Sequence, residues 1–392
     1  MSADAWIDAL ESTDGRAILA ELASIDLTAQ NELRVLDRLR ARYAPELVRA
    51  AVAQTQLRRR AQSKFSRAGA MLFTTAGLEQ ASSERMARHH AARYSGFDRI
   101  TDLCCGIGGD LIGLAERHHV TAVDRDPVHA RLARHNAIVN DAGARAAVVC
   151  ADVVDVRLSA GDVVFIDPAR RTEHRRLRGG ESEPSLAWCV ALAPRVAAVG
   201  IKSAPGIDTD LVPADWELEF VSEARELKES ALWSPSLRSA ARRATVLPEG
   251  QTITRREGAN APVRPPGSYL LDIDPAVTRA GLVDELAELL GACWKIDDRI
   301  GFLSADAPMD TPFGRSIRVE ASMPWNLKRL NEALRSLDVG SADIRKRGSP
   351  VDVDELHRKL KLRGGRSALV VLTQAAGKPW AFVCTDAGVG AP

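Results

Sequence analysis

Asp102-Leu-Cys-Cys-Gly-Ile-Gly-Gly-Asp110 lies between an apolar run at residues 100–103 and an apolar helical segment at 111–115. A strand that feeds a glycine-rich turn and then a helix is the setting in which backbone wraps a ligand. Glycines at 106, 108 and 109 permit positive φ angles and let the main chain approach what it binds. Asp124 ends the next apolar run, where a carboxylate can accept both hydroxyls of a ribose.

Two cofactor classes compete for such a loop. A dinucleotide needs G-x-G-x-x-G, with its pyrophosphate on the helix amino terminus. Leu111 stands where the third glycine belongs, and Asp102 and Asp110 flank the loop with charge that repels a pyrophosphate. S-adenosylmethionine carries no phosphate and presents an ammonium and a sulfonium, which the same acidic residues attract. The sequence therefore predicts S-adenosylmethionine as the cofactor.

The surrounding text supports a parallel sheet. Short apolar runs at 100–103, 120–123, 147–150, 163–166 and 196–201 alternate with helical stretches, which implies parallel strands joined by crossover helices. Residues 218–221 and 243–247 are expected to close the sheet as an antiparallel pair. Asp152 follows the third run, placed to accept an adenine amino group, and Asp167-Pro168-Ala-Arg-Arg171 follows the fourth. One aspartate after a strand is ordinarily a turn or cap residue. Four in register after four successive strands indicate a shared ligand.

Before the loop, residues 1–95 read as helical, with apolar residues spaced at three and four in Leu33, Leu36 and Leu39 and again in Leu47, Ala50 and Ala51. The run Leu57-Arg-Arg-Arg-Ala-Gln-Ser-Lys-Phe65 suits a helix carboxyl terminus, a solvated face or a phosphate contact. After the loop, the Pro, Gly and Arg-rich stretch 251–268 has the composition of a linker. The expected domains are a helical region at 1–95, an α/β domain at 96–250, a small α+β, ferredoxin-like unit at 268–323 and a last unit at 324–392.

A chain of 392 residues with 45% hydrophobic and 27% charged residues is that of a folded, multi-domain protein. Its net charge of +1 argues against a wholesale polycation, so any affinity for nucleic acid must come from patches. The six cysteines include no C-x-x-C pair, which argues against a disulfide framework or a metal site. The amino terminus lacks a secretion signal and no apolar run reaches membrane-spanning length, so a cytoplasmic protein with no membrane partner is expected.

Residues 96–250 resemble the class I S-adenosylmethionine-dependent methyltransferases. More closely, Glu79-Gln-Ala-Ser-Ser-Glu84, the Asp102 loop, Asp167-Pro-Ala-Arg-Arg171, Arg345-Lys-Arg-Gly348 and Lys361-Leu-Arg-Gly-Gly365 are similar to bacterial RNA methyltransferases with a THUMP-like carboxyl-terminal domain. The resemblance implies a Rossmann-like, seven-stranded, mostly parallel sheet. It implies that Asp102, Gly106 and Gly108 line the methionine end of the cofactor, Asp124 its ribose, Asp152 its adenine and Asp167 the transfer site. Gln80, Ser82 and Ser83 would cover the cofactor from the leader. The implied activity is direct methyl transfer to RNA, tRNA or rRNA. A small-molecule methyltransferase and a non-catalytic RNA-binding protein with a retained cofactor fold are the alternatives.

The chain departs from one pattern. Enzymes that methylate exocyclic amines carry Asp/Asn-Pro-Pro and an aromatic, which accepts the amine hydrogens and stacks a flipped base. Ala169 and Arg170 occupy the last two positions. Asp167, Pro168 and Arg170 are thus the expected transfer-site residues, with Arg170 available to a phosphate or an acidic substrate. Cys189, the nearest downstream thiol, reads as a small core residue. Arg170, Arg171, His174, Arg175, Arg176 and Arg178 form one basic patch, and 345–347 with 358–366 form a second, which suits an extended RNA. Trp233 suits either base stacking or a sheet-edge anchor, and Lys202 after the fifth run has no assigned role.

Overall fold

The computed structural model describes residues 4–25, 30–169, 171–172, 175–176 and 182–386. Arg170, His174 and Arg178 of the first basic patch lie outside them. The chain forms two compact units, Met1–Trp216 with Ala231–Arg238, and Glu217–Ser230 with Ser239–Pro392.

The first unit opens with helices α1 (Ala5–Glu11), α2 (Thr13–Ala23), α3 (Glu32–Arg40) and α4 (Pro45–Ala61). Ser12 caps α2 by accepting the Gly15 amide, and Pro45 begins α4 where a missing N–H costs nothing. Ile7, Leu10, Ile18, Leu22, Leu39, Val48 and Ala51 form their common core. Of the expected α3 stripe, Leu39 is buried while Leu33, in the first turn, is exposed. The arginines ending α4 are tied down locally: Arg58 donates to the Met71 carbonyl and Arg59 to that of Ile25. Helices α5 (Thr75–Gln80) and α6 (Glu84–Ala92) follow, capped by Thr74 and Ser83.

Five parallel strands then build the expected Rossmann-like sheet. They are β1 (Arg99–Leu103), β2 (His119–Asp124), β3 (Ala146–Cys150), β4 (Val163–Ile166) and, beyond a two-residue ribbon of β5 (Arg171–Thr172) and β6 (Arg175–Arg176), β7 (Ala198–Ser203). Their order is β3-β2-β1-β4-β7, with α7 (Gly109–Ala115) and α8 (Pro127–Val139) as crossovers and α9 (Leu186–Val190) before β7. All four residues of β4 are buried, as expected of a central strand covered on both faces.

Strands β8 (Glu217–Glu223), β9 (Glu226–Trp233), β10 (Arg242–Leu247) and β11 (Gln251–Thr254) continue in the order β9-β8-β10-β11, and the end of β9 lies beside β7 within the first unit. This corrects the expected closing pair. Residues 218–221 and 243–247 do pair, but as parallel strands, Leu218 to Arg242 through Glu223 to Leu247. The antiparallel partner is β9, which returns through Ala224-Arg225, both in left-handed backbone with φ of 51° and 63°. Two such residues make a two-residue hairpin turn whose twist matches the flanking strands. Its charged beginning, Glu-Leu-Lys-Glu, concealed β9 from a hydrophobic-pattern reading.

The second unit further holds a sheet of its own, whose seven described strands run in the order β13-β14-β12-β15-β18-β17-β16. These strands are β12 (Tyr269–Ile273), β13 (Trp294–Lys295), β14 (Phe302–Ala305), β15 (Gly314–Pro324), β16 (Val339–Lys346), β17 (Arg366–Ala375) and β18 (Lys378–Asp386). Helices α10 (Pro275–Ala280), α11 (Val283–Leu290), α12 (Leu327–Ser336) and α13 (Val353–Lys359) accompany it. Leu270, Phe302, Ile317, Val371 and Phe382 pack in one cluster; Leu330, Leu334, Val370 and Val383 pack in another.

Candidate functional site

The loop after β1 uses its glycines differently. Gly106 has φ 54° and open space where a Cβ would project, so the backbone there stays bare. Gly108, at φ 88°, caps α7, and a Cβ on it would meet Ala133 of α8 at 3.2 Å. Gly109 is ordinary helical backbone packed on Ala81 and Ser82, where a Cβ would come within 3.1 Å. Cys104 also adopts left-handed backbone, φ 63°. The loop thus leaves one uncovered stretch of main chain at the carboxyl end of β1.

Asp102 is completely buried at that end, and neither carboxylate oxygen has a hydrogen-bond partner among the described residues. Burial pushes its carboxyl well above the ordinary range, and the charges of Asp110, Asp167 and Asp124 push it further, with Lys202 opposing. A buried acid left without a donor is costly unless something cationic completes it.

Asp110 lies in the first turn of α7, with the opposite outcome. Ser82 Oγ donates to its Oδ2 at 2.7 Å, His90 Nδ1 lies 2.7 Å from its Oδ1 and Lys202 Nζ is 3.9 Å away. Burial alone would raise its carboxyl, but Lys202 and His90, with the Ser82 hydrogen bond, hold it at about 2. Lys202, in β7 and itself buried, donates to Asp167 Oδ2 at 2.7 Å and to Ser82 Oγ at 2.8 Å. His90, in α6, packs on Phe165 of β4 with ring centroids 5.1 Å apart.

Asp124 ends β2. Its carboxylate accepts the Gly106 amide at 2.8 Å and the Asp126 amide at 2.9 Å, so it ties the glycine loop to the start of α8. Asp152 is half-buried after β3 and caps the short helical turn Val153–Asp155 through the Val154 amide. Pro168 is buried, and Ala169 is paired with Glu183 through both main-chain hydrogen bonds. Gln80 is exposed at the end of α5, whereas Ser82 and Ser83 are buried.

The structure brings Ser82, Asp102, Asp110, Asp167 and Lys202 together and links Asp124 to Gly106. Among the described residues neither Asp152 nor Gln80 makes a hydrogen bond or ion pair to that network, and Arg170 lies outside them. His90 escaped the sequence reading, since nothing in Arg88-His-His-Ala91 singles it out. Lys202 carried a signal in retrospect: a lysine directly after an apolar strand run is out of place unless paired.

Two aromatic and thiol expectations resolve. Trp233 is fully buried, edge-on to Tyr94 at 6.0 Å, with Arg93 over its ring at 4.8 Å, so it belongs to the core and does not stack an incoming base. Cys189 is buried as expected, and burial pushes its thiol up to about 12. Among the described residues no group of His, Cys, Asp and Glu could hold a metal ion. Among the described residues no helix is long and apolar enough to cross a membrane.

Residues 97–191 match the family described as RNA cap guanine-N2 methyltransferase, residues 314–386 the THUMP domain-like family and residues 5–61 a domain of unknown function. The fold is shared with the crystal structure of a candidate methyltransferase from Porphyromonas gingivalis W83, at TM-score 0.75 and 21% identity over 95% of this chain and 98% of that one. Uncharacterized S-adenosylmethionine-dependent methyltransferases from two Mycobacterium tuberculosis strains, CDC 1551 / Oshkosh and ATCC 25618 / H37Rv, are each 37% identical over 353 residues. That match covers 86% of this chain and 95% of the relatives. With a bare glycine loop and an unpartnered buried acid at the end of β1, and a likeness that spans nearly the whole relative, the chain belongs to the S-adenosylmethionine-dependent methyltransferases.

Proposed function

We propose that this methyltransferase acts on RNA and that the residues around the Asp102 loop hold the cofactor. The reading of the cofactor site is carried by one observation, the buried Asp102 carboxylate that has no donor among the described residues. A cationic ammonium is the partner that such a group lacks. The uncovered backbone at Gly106, with Gly108 next to it at the start of α7, accepts the methionine end, Asp124 the ribose hydroxyls and Asp152 the adenine amino group. Ser82, Ser83 and Gln80 contribute from the helical leader, with Ser82 anchored through Asp110 and Lys202.

The cofactor supplies a methyl group made electrophilic by its sulfonium. The chain's own task is to orient a nucleophile and keep water away. Lys202 holds the Asp167 carboxylate in place at the end of β4. From there Asp167 accepts a hydrogen bond from the attacking nitrogen or oxygen, Pro168 stiffens the turn and Arg170 takes a neighbouring phosphate.

An RNA substrate is supported by the family descriptions matched at 97–191 and 314–386 and by the arginine-rich sequence after Pro168. The decisive experiment is incubation of the protein and isotopically labelled cofactor with total RNA, followed by nucleoside mass spectrometry. A labelled nucleoside is expected, and Asp167→Ala should abolish it. Cofactor binding without any labelled nucleoside overturns the RNA reading and moves the acceptor to a small molecule.

A further inference from the structure

Asp272, near the end of β12, is surrounded by three arginines from distant parts of the second unit. Arg225 Nη2, from the β8–β9 turn, donates to its carboxylate at 3.1 Å and to its carbonyl at 3.0 Å. Arg345 of β16 donates to the same Oδ2, and Arg347 Nη2 lies 3.7 Å from Oδ1 while its Nη1 donates to the Gly301 carbonyl at 2.6 Å. In the strand order β16 stands four positions from β12, about 19 Å in a flat sheet. The sheet therefore curls to bring the arginines to one point.

We infer that Arg225, Arg345 and Arg347 form a site for a phosphate of the RNA backbone; this rests on the RNA reading proposed above. Three guanidinium groups share one carboxylate, so the cluster keeps a local excess of positive charge. The contacts use few of their N–H donors. The arginine side chains remain 38%, 48% and 32% exposed, against 11% for Asp272, so the cations face solvent and the acid sits beneath them. Burial and the charges of Arg225 and Arg345 lower the pKa of Arg347, with Asp272 opposing; an added anion would relieve that repulsion.

Two further features suit a ligand better than a simple cross-link. Arg225 holds left-handed backbone at a hairpin position where Asn or Gly is usual, a conformation that costs an arginine energy. Arg347 also lines a cavity of about 380 Å³ beside Lys295 and Arg299 and the acids Asp284 and Asp298, so one arginine of the cluster borders a hollow of mixed charge. Planar, forked donors converging from several segments are the usual means of gripping a phosphate.

The test titrates the full chain with unfractionated tRNA as the probe, over a range of KCl concentrations, beside Arg345→Gln, Arg347→Gln and Asp272→Asn. Circular dichroism checks folding, and cofactor affinity is measured by calorimetry on each. Each arginine variant should bind tRNA several-fold more weakly and lower the slope of log affinity against log salt by about 1. Asp272→Asn should shift affinity the other way. If it does not fold, the two arginine variants decide. Unchanged affinity and slope in both, with the wild type binding tRNA, overturn the site and leave the RNA reading standing. A wild type that binds cofactor but neither tRNA nor, titrated in the same way, ribosomal RNA overturns both.

Discussion

Lys202 and Asp167 face each other across neighbouring parallel strands, because the register that pairs Ile166 with Ile201 sets the next residues of β4 and β7 side by side. Their 2.7 Å hydrogen bond is nearly dry on the lysine side, at 4% exposure. Lys202 also reaches Ser82, so a single ammonium joins the sheet to the leader.

Removing that ammonium should therefore cost more than a surface pair would. Lys202→Met leaves Asp167 and Asp110 without their shared cation, a loss of about 3 kcal/mol in urea unfolding. Asp167→Asn in the same chain should recover part of it. Additive losses in the double variant would show that the pair is not coupled.

Asp102 gives a trade between stability and binding. Its folded carboxyl is raised, so its contribution is favourable below the ordinary carboxylate range and is lost as pH rises through the raised value. At neutral pH, Asp102→Asn should raise the melting temperature of the cofactor-free protein. The same change should weaken cofactor binding about tenfold or more, the scale of a charge-assisted hydrogen bond. Calorimetry in buffers of differing ionisation enthalpy should show proton release on binding in the wild type and none in the variant.

Asp110 has the reverse sign. Held at about 2, below the ordinary aspartate value of 3.8, it adds stability above that value, and the contribution fades as pH falls toward 2. Asp110→Asn should cost about 2 kcal/mol at pH 7 and much less near pH 2. A pH-independent cost would point to packing and not to charge.

Trp233→Ala removes a fully buried side chain that packs on Tyr94 and His90. The expected loss is about 3–5 kcal/mol of stability. If Trp233 were a stacking residue, the variant would fold as well as the wild type and lose only affinity for substrate.

Much of the fold was legible in the sequence because its causes are local. Apolar runs of strand length, a glycine loop at a strand end and Pro or Ser at helix starts act within a few residues, and β1 to β4 fall where the pattern put them. So did the competition between cofactors, since Leu111, Asp102 and Asp110 act through charge and missing flexibility at one loop. The strand β9 was hidden because its charges obscure alternation, and the hairpin that creates it depends on two residues accepting left-handed backbone without glycine.

The sequence by itself determined the cofactor class, through which charges can stand beside a bare backbone loop. Tertiary structure decided which charges meet. Lys202 finds Asp167 only through the register of β4 and β7, His90 finds Asp110 only through the packing of α6 on α7, and the arginines gather on Asp272 only because a sheet curls. The reason is physical: a side chain's charge is written in the sequence, but its partner is set by strand pairing and helix packing between segments far apart along the chain.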